Sequence, residues 1–176
     1  MPKHTGGAVV IFFNGLFTTI IGLATLGTSI TFSYVLSNNT QPPTSRTPTF
    51  GTQEIQLFLS ISWLLFLLAL AFASLGSTLL TFFKDHWRAD WDGLNGKTSQ
   101  ESVQWYAVFA SGLLGALVVA AFILLCLVVV AYSVVVGWIA LGWTIFFGFI
   151  MVMAVCNQVP WPWRDNRPQK PQVNLA

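Results

Sequence analysis

Six residues of the first apolar run, Asn14, Thr18, Gly22, Thr25, Ser29 and Ser33, recur at intervals of four, four, three, four and four. That spacing follows one stripe of an α-helix. Ile11, Phe12, Leu16, Leu23 and Ile30 fill the other side. Amide and hydroxyl groups meet lipid poorly, so the stripe is expected to face protein or water. One chemistry that fits is the uncharged wall of a pore. The plainer one is a packing seam, because small residues and Ser/Thr let membrane helices approach closely and hydrogen-bond. Hydroxyls can also close back on their own helix backbone, which favours the seam.

Catalytic chemistry is poorly supplied. The expected spans hold no Asp, Glu, Lys, Arg or His, the residues that intramembrane proton relays, voltage sensors and ion-coupled pumps normally use. No HExxH, GxSxG or phosphate-binding glycine loop occurs. Both histidines lie outside the spans, which argues against a paired-His haem. Residues 90–101, DWDGLNGKTSQE, put Asp90, Asp92 and Glu101 at positions 1, 3 and 12 of a calcium loop. The match then fails, with Leu94 at position 5 and glycine at position 7 in place of 6. Cys126 and Cys156 lie in or at the edge of apolar runs and read as buried thiols, not a disulfide framework. The expectation is a protein that is not an enzyme, with no cofactor and no metal.

The elements that must carry these residues follow from composition. Of 176 residues, 55% are hydrophobic and only 8% are charged, against roughly 25% charged in a soluble domain. A soluble fold of this length could not hide so much apolar surface. The expected class is an all-α integral membrane protein, a four-transmembrane-helix bundle. The net charge of +2 argues against nucleic-acid binding.

The charges divide the chain. Nothing from Gly7 to Leu36 or from Ile55 to Phe83 is charged, and each window holds one span of the roughly 20 apolar residues that a membrane requires. From Ser102 to Trp163 there are 62 residues without charge. As one helix they would measure about 93 Å, roughly three membrane thicknesses. The chain must therefore turn back inside LLCLVVVAYSVVVGWIALGW, residues 124–143, either at Ala131-Tyr132-Ser133 or at Gly137-Trp138. Aromatic residues of the interface type and a permissive glycine mark both positions. The spans are expected at about 7–36, 55–83, 103–130 and 134–157, in a single transmembrane domain.

Four spans put the N-terminus, the 84–102 loop and the 158–176 tail on one side. That side holds Lys3, Lys84, Arg88, Lys97, Arg164, Arg167 and Lys170, and the other side holds Arg46 alone. Seven against one makes both termini cytoplasmic. Three spans would give four against four. The pattern does not distinguish plasma membrane from endomembrane.

The outer loop, 37–54, is rich in Ser, Thr, Asn and Pro and includes Asn38-Asn39-Thr40, an N-glycosylation acceptor pattern at Asn38. In the inner loop, Trp87 and Trp91 lie four apart and predict a short interfacial helix with both rings on one face. Thr98 and Glu101 have the spacing of a capping box. Trp161 and Trp163, followed by Arg164, make a second interfacial anchor. Ser111, Gly112, Gly115 and Ala116, followed by Ala120, form a small-residue packing seam in the third span. Ala69, Ala73, Gly76 and Ser77 do so in the second. Phe146, Phe147, Phe149, Trp138 and Trp143 are expected to face lipid.

The plan is shared by many unrelated four-span families, and no motif singles one out. The functional expectation is a non-enzymatic, self-associating scaffold or accessory subunit. Its partners are the lipid bilayer and a second copy or another membrane protein. The alternative is a homo-oligomeric ion or small-solute channel lined by the polar stripe.

Overall fold

The computed structural model describes residues 5–37, 50–92, 94 and 97–158, and at 35–37, 97–100 and 155–158 only the backbone. Asn38, Trp161 and Trp163 lie outside the described residues. Five helices follow one another: α1 (Gly6–Ser37), α2 (Thr52–Phe82), α3 (Lys84–Trp91), α4 (Lys97–Tyr132) and α5 (Val134–Gln158). All but α3 are long and apolar enough to cross a membrane. The class shown is therefore all-helical, with four helices of membrane-spanning length and apolarity.

After Gly6 at its start, the buried residues of α1 are Phe13, Phe17, Ile20, Ala24, Gly27 and Thr31, at intervals of 4, 3, 4, 3 and 4. Those of α2 include Ile55, Leu59, Ser62, Phe66, Ala69 and Ala73, with the same alternation. An average repeat of 3.5 residues is the signature of helices that pack at a shallow angle along their whole length. The side chains are matched in size. On α1 the large residues come first and the small ones follow. On antiparallel α2 the order in space is reversed. Phe17 of α1 lies over Gly76 of α2, and Phe66 of α2 lies over Gly27 of α1. A Cβ at Gly27 would stand 2.7 Å from the Phe66 ring, and one at Gly76 would stand 2.8 Å from Phe17. Each helix thus inserts one phenylalanine where the other has no side chain.

Phe66 is fully buried, because on its far side it meets Phe122 of α4 edge to face, with centroids 5.3 Å apart. The neighbouring Ser62 hydroxyl donates to the Ala121 carbonyl at 3.0 Å, a buried hydrogen bond between α2 and α4. At the opposite end from α3, Ile55 and Leu59 pack on Val128 and Ala131. Helix α2 thus lies between α1 and α4, and these three helices supply both buried clusters.

Helix α5 is joined to α4 through Ser133, the one residue between them outside a helix. The turn thus falls at the first of the two expected positions. Ser133 N–H still donates to Val129 O at 2.8 Å, and Gly137 N–H donates to Ser133 O at 2.9 Å, so the backbone groups at the break are paired. Gly137 is needed for another reason. A Cβ there would collide with the Val130 backbone. Further along, Gly148 receives Val119, whose Cγ1 would be 3.1 Å from an added Cβ. Gly137, Leu141 and Gly148 are buried, with Thr144 partly so, again at intervals near 3.5.

The expectation of a bundle holds for the class and for the four long helices, but those helices do not close on one another. Their order in space is α1, α2, α4, α5, and no described Cα of α5 lies within 8 Å of α1 or α2. The result is an open row with two free edges. The reason lies in α5: only its glycine-marked seam is shaped for a neighbour, and it is spent on α4. Val135, Trp138, Trp143, Phe146, Phe147 and Phe149 all point outward.

At one end of the row α3 crosses α1, α2 and α4. Trp87 and Trp91 of α3 pack against the buried cluster, and Trp87 meets Tyr106 edge to face at 5.4 Å. The Asp92 carboxylate accepts a 2.7 Å hydrogen bond from the Gly6 N–H, at the first turn of α1. That amide has no partner within its own helix, and a carboxylate there also complements the helix dipole. Glu54 plays the corresponding local part at α2, accepting from the Gly51 N–H at 2.9 Å. Helix α4 begins at Lys97, so Thr98 lies inside its first turn.

Candidate functional site

The six stripe residues of α1 share one destination. Asn14, Thr18, Gly22, Thr25, Ser29 and Ser33 are all exposed. At 100° per residue the stripe lies nearly opposite the buried seam of Phe13, Phe17, Ile20, Ala24 and Gly27. It therefore points away from α2 and forms the free edge of the row. Within one chain it is neither a packing seam nor a wall facing an internal path.

Its hydroxyls are occupied locally. Thr18 donates to Asn14 O at 2.9 Å, Thr25 to Ile21 O at 2.7 Å, Ser29 to Thr25 O at 2.9 Å and Ser33 to Ser29 O at 3.0 Å. Thr19, off the stripe, does the same to Gly15 O at 2.9 Å. This back-bonding satisfies each donor and leaves a small, nearly apolar surface. Asn14 differs, because its carboxamide has no hydrogen-bond partner among the described residues. Gly15 and Gly22 have nothing within 4 Å of an added Cβ. The edge is thus shallow along its length, with one unsatisfied amide.

The third-span residues are divided. Ser111 is buried and bonds back to Ala107 O at 2.8 Å. Gly112 and Gly115 are half-buried, and Ala116 is exposed. A Cβ at Gly115 would meet only Met151 Cε, at an ordinary 3.6 Å. Within the long-helix seams the glycines that do admit a neighbour, Gly27, Gly76, Gly137 and Gly148, include one from the expected seams, Gly76. The other three were missed because a glycine's role depends on what stands opposite it. A 3.5-residue spacing of Phe13, Phe17, Ile20, Ala24, Gly27 and Thr31 could have found the α1 seam, but polarity hid it: both its flanks are apolar too.

Elsewhere the chemistry is modest. Trp87 and Trp91 are half-buried, so each ring is partly in the core and partly exposed. A cavity of about 10 Å³ lies beneath them, between Val9, Phe13, Leu80 and Ala107. That is room for about one water, and the walls are apolar. His86 Nε2 stands 3.3 Å from Asp90 Oδ2 along α3, with Asp90 buried and His86 exposed. Cys126 is a free, buried thiol 3.5 Å from the Thr144 hydroxyl. Among the described residues no three His, Cys, Asp or Glu side chains gather into a metal-binding group.

These features define an all-helical chain with four helices long and apolar enough to cross a membrane, whose first helix keeps a polar, small-residue edge outside its own packing. No protein-family model, curated protein or solved structure matches the chain.

Proposed function

We propose that this is a four-span membrane protein with both ends in the cytoplasm, which acts without catalysis as a self-associating scaffold or accessory subunit. The orientation rests on the charges: seven of the eight Lys and Arg residues belong to the sequence segments expected to share one side, the N-terminus, the 84–102 loop and the tail. The association rests on one observation above the rest. The four long helices form an open row, and the edge made by α1 carries six small or polar residues that are all exposed. Small residues on such an edge let a neighbouring membrane helix pack on it closely. The test is the number of copies per particle in lipid nanodiscs, by single-particle imaging. Two or more copies are expected. A single copy at every lipid-to-protein ratio contradicts the proposal.

A second reading is favoured by the same edge. Several copies with α1 turned toward a common axis would line an uncharged path for ions or small solutes. In that case Thr25→Leu lowers flux through reconstituted vesicles and Thr19→Leu changes it less. Equal effects, or no flux at all, count against a pore.

A further inference from the structure

We infer that Thr28 and Trp63 form a polar latch between α1 and α2, in which the Trp63 indole N–H donates to the Thr28 hydroxyl oxygen and that hydroxyl donates to the Ala24 carbonyl. The latch lies within a single chain and is independent of the proposed self-association.

The first observation is that both groups are enclosed and unpaired. Thr28 Oγ1 and Trp63 Nε1 are buried atoms without a hydrogen-bond partner among the described residues. Such groups are costly in an apolar interior, and more so where no water competes for them. The buried hydroxyls nearby and along α4 are all satisfied: Thr31 donates to Gly27 O at 2.8 Å, Ser111 to Ala107 O at 2.8 Å and Ser62 to Ala121 O at 3.0 Å. The second observation is chemical. An indole N–H only donates, and it is not among the short groups that fold back onto their own helix. Trp63 therefore needs an acceptor from elsewhere. A hydroxyl accepts and donates at once, so Thr28 can take the indole proton while its own proton goes to the carbonyl four residues earlier.

The third observation is register. Phe17 lies over Gly76, and Phe66 lies over Gly27, which fixes the height of each α1 residue against α2. Thr28 follows the buried Gly27, and Trp63 follows the buried Ser62. One step beyond the seam turns each helix by 100°, and in an antiparallel pair those two turns lead to the same flank. The register leaves Thr28 and Trp63 about 3 Å apart in height. Ile21 and Leu70 stand in the same relation two turns nearer α3, and both pack against the buried cluster. Phe32, one turn beyond Thr28, stacks on the Trp63 ring with centroids 6.0 Å apart and planes at 27°. That contact holds the indole against α1.

The test uses the full chain in lipid nanodiscs, with nitrogen-15 on its tryptophans. The Trp63 indole resonance is the one lost in Trp63→Phe. Thr28→Val removes the acceptor at nearly constant shape and should move that proton upfield and speed its exchange. Thr28→Ser keeps the acceptor and should leave both near the parent. Thr28→Val and Trp63→Phe should each lower the thermal midpoint by about 2–4 °C, and the double variant should fall little further than either. A Trp63 resonance that does not move in Thr28→Val overturns the latch. A double variant that falls by the full sum of the two singles overturns it as well. Should Trp63→Phe fail to fold, one of the eight indole resonances should still move in Thr28→Val and return in Thr28→Ser, and the latch falls if none does.

Discussion

Glycines of one residue type have opposite consequences here, because each is defined by what stands across from it. Gly27 faces the Phe66 ring, and that ring cannot retreat because Phe122 backs it. Gly27→Ala is therefore expected to destabilise the folded chain by about 1–3 kcal/mol, the usual range for overpacking. Pairing it with Phe66→Leu should recover part of the loss, read as thermal unfolding in detergent. Gly22→Ala should leave the same measurement unchanged, since nothing lies within 4 Å. Asp92 offers a different test. Its carboxylate bonds the first amide of α1 from 86 residues away. Asp92→Ala should cost about 1 kcal/mol, as the loss of a capping acceptor does, with faster hydrogen exchange at the start of α1. Unchanged exchange there would mean that water replaces the carboxylate without loss.

At the scale of elements, α4 and α5 form a helical hairpin with a one-residue break. The break is legible as a necessity, because 62 uncharged residues exceed any single crossing, but its position is not. Ser133 is unremarkable as a residue type. It is the turn because Gly137, one helical turn later, lets α5 pass the Val130 backbone at close range. Gly137→Ala should open the hairpin. The expected readout is a greater loss of thermal stability than Gly142→Ala causes, since Gly142 has no neighbour within 4 Å. Equal losses would show that the close approach is not needed. The α1 stripe was legible in the same partial way. Its polarity marked a face apart, while the seam that holds α1 to α2 mixes Phe, Ile, Ala, Gly and Thr and carries no polarity contrast. Size complementarity between two helices cannot be read from either helix alone.

For the whole molecule, the row α1, α2, α4, α5 alternates in direction and puts Gly6, α3 and the end of α5 at one end. Combined with the charge count, this predicts that tags at either terminus are reached only after the membrane is permeabilised, whereas a tag between Asn39 and Pro48 is reached without it. Protection of the 39–48 tag would reverse or abolish the proposed orientation. Moving the three basic residues of the tail, Arg164, Arg167 and Lys170, into that segment should weaken or invert the topology, because Lys and Arg near short loops set it.

Class, span number and the side assigned to each loop depend on hydropathy and charge, which are properties of residues taken one at a time. The order of apolar and charged residues therefore determined that this chain is apolar enough, in four stretches, to cross a membrane four times. The existence of a polar stripe on α1 was also determined there, because helical periodicity is local. Only the tertiary structure decided that the stripe points outward, that Phe66 and Phe17 fill each other's glycine gaps, and that α5 rests on α4 alone. Those are pairwise matters of shape. Inside a membrane, where lipid is as apolar as leucine, shape and hydrogen bonding choose the neighbour, and hydrophobicity does not.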